Sequence, residues 1–184
     1  MTDTPSNSPA PQSFTLGFLT ILHDANGVLG GYLLTNAWGR PLEFRLSTAV
    51  QPNRVQQILY GPTLTEYLHA DLIGKTLIEK TSQPPSLVIA DTLPALALRS
   101  KLDIPVVAIR PEGIDLHSAD VLSLQHPASS APLVYSAKYA DEVERLEGLL
   151  NRIDSAVDLA EPFARIREAV AEARKMGVTN RAAA

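Results

Sequence analysis

The most constraining stretch of this chain runs from Phe14 to Val50 and reads as three strands joined by two tight turns. It opens Phe14-Thr-Leu-Gly-Phe-Leu-Thr-Ile-Leu22, turns at Ala25-Asn26-Gly27 and returns as Val28-Leu-Gly-Gly-Tyr-Leu-Leu-Thr35. A second turn at Trp38-Gly39-Arg40 leads into Pro41-Leu-Glu-Phe-Arg-Leu46. Asn-Gly between apolar runs is a strong hairpin signal, because both residues tolerate positive φ. The first strand, and the second half of the next, are apolar at nearly every position and call for cover on both faces. The third alternates, with Leu42, Phe44 and Leu46 on one side and Glu43, Arg45 and Ser47 on the other, as an edge strand would. Gly30-Gly31 interrupts strand two, where glycines mark a bulge or a close backbone approach.

Beyond Pro52, residues 53–60 predict a short helix stopped by Gly61-Pro62. Thr63 and Glu66 have capping-box spacing, and a longer helix follows to about Lys80, with Leu64, Leu68, Leu72, Ile73 and Leu77 as its apolar stripe. Ser86-Leu-Val-Ile-Ala-Asp91 is an apolar run ending in an acid, the pattern of a buried parallel strand. Thr92 to Leu102 predicts a helix with Pro94 in its first turn, and Ile104 to Ile109 the next strand, with Pro105 at its start. Val121 to Leu124 is a candidate for one more short strand, ahead of a Ser/Pro/Ala loop at residues 126–132. Two helices close the chain: residues 137–153, carrying Val143, Leu146, Leu149, Leu150 and Ile153, and residues 158–177, lined by Phe163, Ile166, Val170 and Ala173. Their charged residues, among them Glu144, Arg145, Arg167 and Glu172, read as solvated faces with scattered ion pairs.

A right-handed crossover from the meander through the long helix sets strand four beside strand one and parallel to it, with strand five beyond. The expected fold is therefore α/β: a mixed five-stranded sheet of order 3-2-1-4-5, an antiparallel meander followed by β-α-β, with a C-terminal helical pair. The division expected is a disordered tail over 1–13, an α/β domain over 14–135, a helical extension over 136–177 and a frayed tail over 178–184. The strand order resembles the ribonuclease H-like superfold in plan. The resemblance implies paired divalent metals on acids from strand one, the first long helix and the end of strand four. Asp91 stands at the strand-four position and Glu66 at the helix position, where it also has the capping role, but Phe14 to Leu22 contains no acid.

Composition narrows the chemistry. With 184 residues, 45% hydrophobic and 20% charged, the chain has the makeup of an ordinary soluble domain. A net charge of −4 and a pI near 5.5 argue against binding a phosphate backbone by bulk electrostatics. There is no cysteine, hence no disulfide, thiolate zinc site or cysteine nucleophile. The Ser/Thr/Pro-rich N-terminus does not read as a signal peptide, and no apolar run reaches the roughly 20 residues that span a bilayer, so a soluble cytoplasmic protein is expected.

If strands one and four are parallel neighbours, their carboxyl ends meet where open α/β sheets bind ligands. His23 and Asp24 follow strand one, Asp91 ends strand four and Arg110 ends strand five. Together His23, Asp24 and Asp91 are candidate ligands for Mg²⁺ or Mn²⁺. The plainer alternative is that Asp24-Ala-Asn-Gly27 is turn chemistry, that Asp91 caps the helix at Thr92, and that Arg110 neutralises either acid. Trp38 and Arg40 are candidate partner contacts, Trp and Arg being enriched in binding hot spots; otherwise Trp38 plugs the end of the sheet. His69 reads as a boundary residue, and His117 and His126 as loop residues. No phosphate loop, nucleophile elbow or His-Glu-x-x-His is present.

Two functions follow. The first is a non-enzymatic α/β interaction or scaffold module, acting through a protein partner or by self-association of the C-terminal helices. The alternative is a metal-dependent phosphodiesterase or nuclease using Asp91 with Asp24, and Glu43 or Glu66 as further acids.

Overall fold

Two turns, each held by an acidic or amide side chain, start the sheet. Asp24 Oδ1 accepts the Asn26 N–H at 2.7 Å, and Gly27 alone takes positive φ (118°), so the first hairpin turns on Ala25-Asn26 with Gly27 opening the next strand. In the second, Asn36 Oδ1 accepts the N–H groups of Trp38 and Arg40, both at 3.0 Å, and Gly39 has φ 73°. These turns join β1 (Thr15–Asp24), β2 (Gly27–Asn36) and β3 (Pro41–Leu46) in an antiparallel meander. The computed structural model describes residues 13–113 and 120–177; the two tails, Ser13 excepted, and His117 lie outside the described residues.

The sheet has seven strands, not five. Its order is β3-β2-β1-β4-β5-β7-β6, with β4 (Leu87–Ala90) and β5 (Val106–Ile109) parallel to β1. The added pair is an antiparallel hairpin, β6 (Val121–Leu124) and β7 (Leu133–Ser136), with β7 against β5. Leu133 and Tyr135 pack on one face of the sheet and Val134 on the other. A four-residue apolar run of this kind has no period that separates strand from helix, which is why β7 hides in the sequence.

Helices cover both faces. On one lie α2 (64–79) and a 3₁₀ helix, Leu93–Ser100; on the other lie α3 (Val143–Leu150) and α4 (Glu161–Lys175). The C-terminal helices expected as an extension therefore cover one face of the sheet. Phe163, Ile166 and Val170 of α4 and Leu146 and Leu150 of α3 are buried against the sheet, and Phe163 meets Phe18 edge-on at 5.7 Å. The apolar faces of these two helices are covered within the chain.

Gly30-Gly31 is explained by close approach on both sides. A Cβ on Gly30 would stand 2.3 Å from Ile73 Cγ2, and one on Gly31 2.4 Å from Ile166 Cγ2, so α2 and α4 press directly onto the β2 backbone. α2 is not a uniform α-helix: Tyr67–Gly74 is π-helical between α-helical Leu64–Glu66 and Lys75–Glu79. The wider π-helical turn buries Leu68, His69 and Ile73 and leaves Leu72 outside the stripe. The capping box expected at Thr63 is not formed; Thr63 Oγ1 donates to Tyr60 O instead. A capping box does form one helix earlier, between Asn53 and Gln56 at the start of α1 (Arg54–Tyr60).

Candidate functional site

The carboxyl ends of β1 and β4 lie side by side, with Leu19 opposite Ala90. Side chains alternate across a sheet, so this junction has two faces with different chemistry.

On the α4 face, Thr20 and Asp91 point the same way. Asp91 Oδ2 accepts the Thr20 hydroxyl at 2.5 Å and pairs with the Arg167 guanidinium of α4. Burial pushes the Asp91 carboxyl above its ordinary value, against the opposing pull of Thr20 and Arg167. Asp24, at the end of β1, pairs with Arg174 while holding the Asn26 N–H. Arg167 and Arg174 are seven residues apart, two turns along one side of α4, so one helix engages both acids.

On the α2 face, the π-helical turn delivers His69, only 4% exposed, to the His23 ring at 5.5 Å between centroids. Its Nδ1 lies 3.3 Å from the Thr92 hydroxyl, and its Nε2 is buried without a partner. Burial, and secondarily His23, lowers the His69 pKa to about 4, so its ring is neutral at pH 7.

The expected ligand set is thus divided by the sheet. His23 stands with His69, whereas Asp24 and Asp91 stand with arginines. Among the described residues no group of three His, Asp or Glu is placed to hold a metal ion. Asp91 is not the cap of the helix after it: the N-cap position of the 3₁₀ segment is Thr92, and no side chain caps it. Arg167, half exposed on the solvated face expected of it, makes its ion pair with Asp91. Glu43 lies away from the junction on β3, accepting the Ser82 N–H at 2.9 Å and the Ser82 hydroxyl at 2.8 Å, contacts that lower its pKa. Glu66 is exposed, Arg110 follows β5 with its N–H on Pro132 O, and His126 Nδ1 accepts the Ala128 N–H.

A second region is apolar and open. Trp38 is 70% exposed and does not plug the sheet; Arg40 beside it is exposed as well. Along β3, Leu42 and Phe44 are 47% and 40% exposed. α1 buries no residue, and its Val55, Ile58 and Leu59, at i, i+3 and i+4, face outward. The spacing of those three was visible in the sequence, but it reads equally as a core stripe, and only the fold shows that no described residue covers it. Thr20 and His69 carried no sequence signal of their own, since their roles depend on strand pairing and on the π-helical turn.

No family model matches the chain, and no curated protein resembles it in sequence. A solved structure of a protein of unknown function from Archaeoglobus fulgidus DSM 4304 is similar in fold, with TM-score 0.52 at 13% identity, covering 88% of this chain and 98% of that one.

Proposed function

We propose that this chain is a non-enzymatic α/β interaction module built on a ribonuclease H-like strand plan. The observation that carries this reading is the company Asp91 keeps. The neighbouring strand contributes Thr20 on the same face, where the resemblance calls for a second acid, and α4 contributes Arg167. A hydroxyl and a guanidinium satisfy a buried carboxylate, whereas two divalent cations need several anionic oxygens. Asp24 has the same kind of partner in Arg174. The order β3-β2-β1-β4-β5, a meander followed by two parallel strands, supports the ribonuclease H-like plan, with the β7–β6 hairpin as an addition. The exposed side chains of β3, α1 and Trp38 are of the type that contacts protein partners.

The competing reading, a Mg²⁺- or Mn²⁺-dependent phosphodiesterase using Asp91 and Asp24, makes a different prediction for one assay. The full chain is incubated with each metal and bis(p-nitrophenyl) phosphate, single-stranded DNA or duplex DNA. No cleavage above the metal blank is expected. Cleavage that disappears in Asp91→Ala would replace the module with the enzyme.

A further inference from the structure

The geometry points to β3 as a self-pairing edge: it joins β3 of a second copy, antiparallel about a two-fold axis at Phe44, so that two sheets become one. The inference rests on the interaction-module reading and names its partner.

Three observations carry it. The first is the phase of the backbone. β3 is a terminal strand of the sheet, and Ser47 N–H donates to Gly30 O of β2 at 2.9 Å. Backbone groups alternate in direction along a strand, so Arg45 also faces β2 while Phe44 and Leu46 direct N–H and C=O outward. A two-fold axis at Phe44 lets the two Phe44 residues exchange both bonds.

The second is the order of side chains. Leu42-Glu43-Phe44-Arg45-Leu46 reads apolar, acid, apolar, base, apolar. Paired antiparallel about Phe44, Glu43 of each copy stands opposite Arg45 of the other, within the part of β3 that lies beyond the register shift at Leu42. A slip of two residues either way, which keeps the faces matched, sets Glu43 against Glu43 or Arg45 against Arg45. Charges on edge strands ordinarily keep edges apart. Glu43 and Arg45 already pair within the strand at 2.5 Å; this register extends that pair into a four-charge cluster of alternating sign, whereas its neighbours set like charges together.

The third is the shape of the edge. The apolar side of β3 is exposed at Leu42 and Phe44. At the strand's edge runs a groove of about 740 Å³ lined by Phe44, Leu46, Leu72 and Leu77 together with Arg45 and Lys80. Strand addition to an open edge draws affinity from the main chain and specificity from such side-chain sites.

The test is a charge exchange read by sedimentation velocity on the full chain across the micromolar range. The wild type is expected to dimerise reversibly. Glu43→Arg alone and Arg45→Glu alone each create two like-charge pairs and weaken the dimer by about tenfold or more. An equimolar mixture of the two variants restores it, because every Arg of one copy then faces a Glu of the other. Circular dichroism shows whether each variant is folded, and the mixture keeps the test decisive even if the loss of Ser82 contacts lowers stability. A monomeric wild type, or a dimer indifferent to both reversals, overturns the pairing while leaving the module reading intact. That reading falls instead on Asp91-dependent phosphodiester cleavage.

Discussion

At Asp91 burial and pairing pull in opposite directions, and burial wins: the carboxyl is raised even with a hydroxyl and a guanidinium at hand. His69 shows the same force acting on a base. Its pKa near 4 lies below the roughly 6.5 of an exposed imidazole, so between those values the unfolded chain binds more protons than the native one. Stability contributed by the neutral ring is therefore complete above about pH 6.5 and is lost as pH falls through 4. The gap between wild type and His69→Gln in urea unfolding should shift against the wild type by about 3 kcal/mol over that interval. A gap that does not change with pH would show that His69 is solvated rather than buried beside His23 and Thr92.

Among the elements, α1 is the exception in how it is stabilised. Seven residues are too few for a helix to persist on propensity alone, and α1 buries none of them. Its local support is the Asn53–Gln56 capping box, with Gln56 N–H on Asn53 Oδ1 and Asn53 N–H on Gln56 Oε1, both at 2.9 Å. Asn53→Ala should cost α1 about 1 kcal/mol. Because α1 contributes nothing to the core, the change should appear as faster hydrogen exchange over 54–60 with an unchanged melting temperature. A fall in melting temperature would mean that α1 is coupled to the global fold. α2 behaves in the opposite way. Its π-helical turn is imposed by what it packs on: Gly74 has so little room that a Cβ would stand 2.9 Å from Leu19 and 3.0 Å from Leu98. From sequence, the α-helical period placed Leu72 in the stripe and His69 at its margin, and the wider turn reverses both. Local pattern specifies that a helix exists here, while contact with β1 and the 3₁₀ segment decides which side it buries.

On the scale of the whole molecule, the meander, the edge position of β3 and the parallel placement of β4 beside β1 were legible because strand periodicity and crossover handedness leave few options. Of the β6–β7 hairpin, β6 was legible as a candidate strand at Val121 to Leu124, whereas β7 was not, since it is four residues long and adjoins a Ser/Pro/Ala loop. The candidate site was legible only in part. Asp24 and Asp91 were singled out by their places at strand ends, but their partners come from α4, more than 70 residues further on. Arg99 makes a comparable long-range tie, its guanidinium on Glu142 at 2.5 Å and over the Tyr139 ring at 4.6 Å, joining the helices of one face to the segment that leads to the other. The central proposal is that the carboxyl ends of β1 and β4, where arginines of α4 pair with Asp24 and Asp91, do not bind a metal. Thermal unfolding of wild type and Asp91→Ala, each with and without Mg²⁺ or Mn²⁺, tests it most directly. A metal bound only to the native state at about 100 times its dissociation constant adds roughly 2.7 kcal/mol. We expect neither protein to respond to metal, with Asp91→Ala melting lower because Thr20 and Arg167 lose their shared acceptor. A metal-dependent rise in the wild type that Asp91→Ala abolishes would contradict the account.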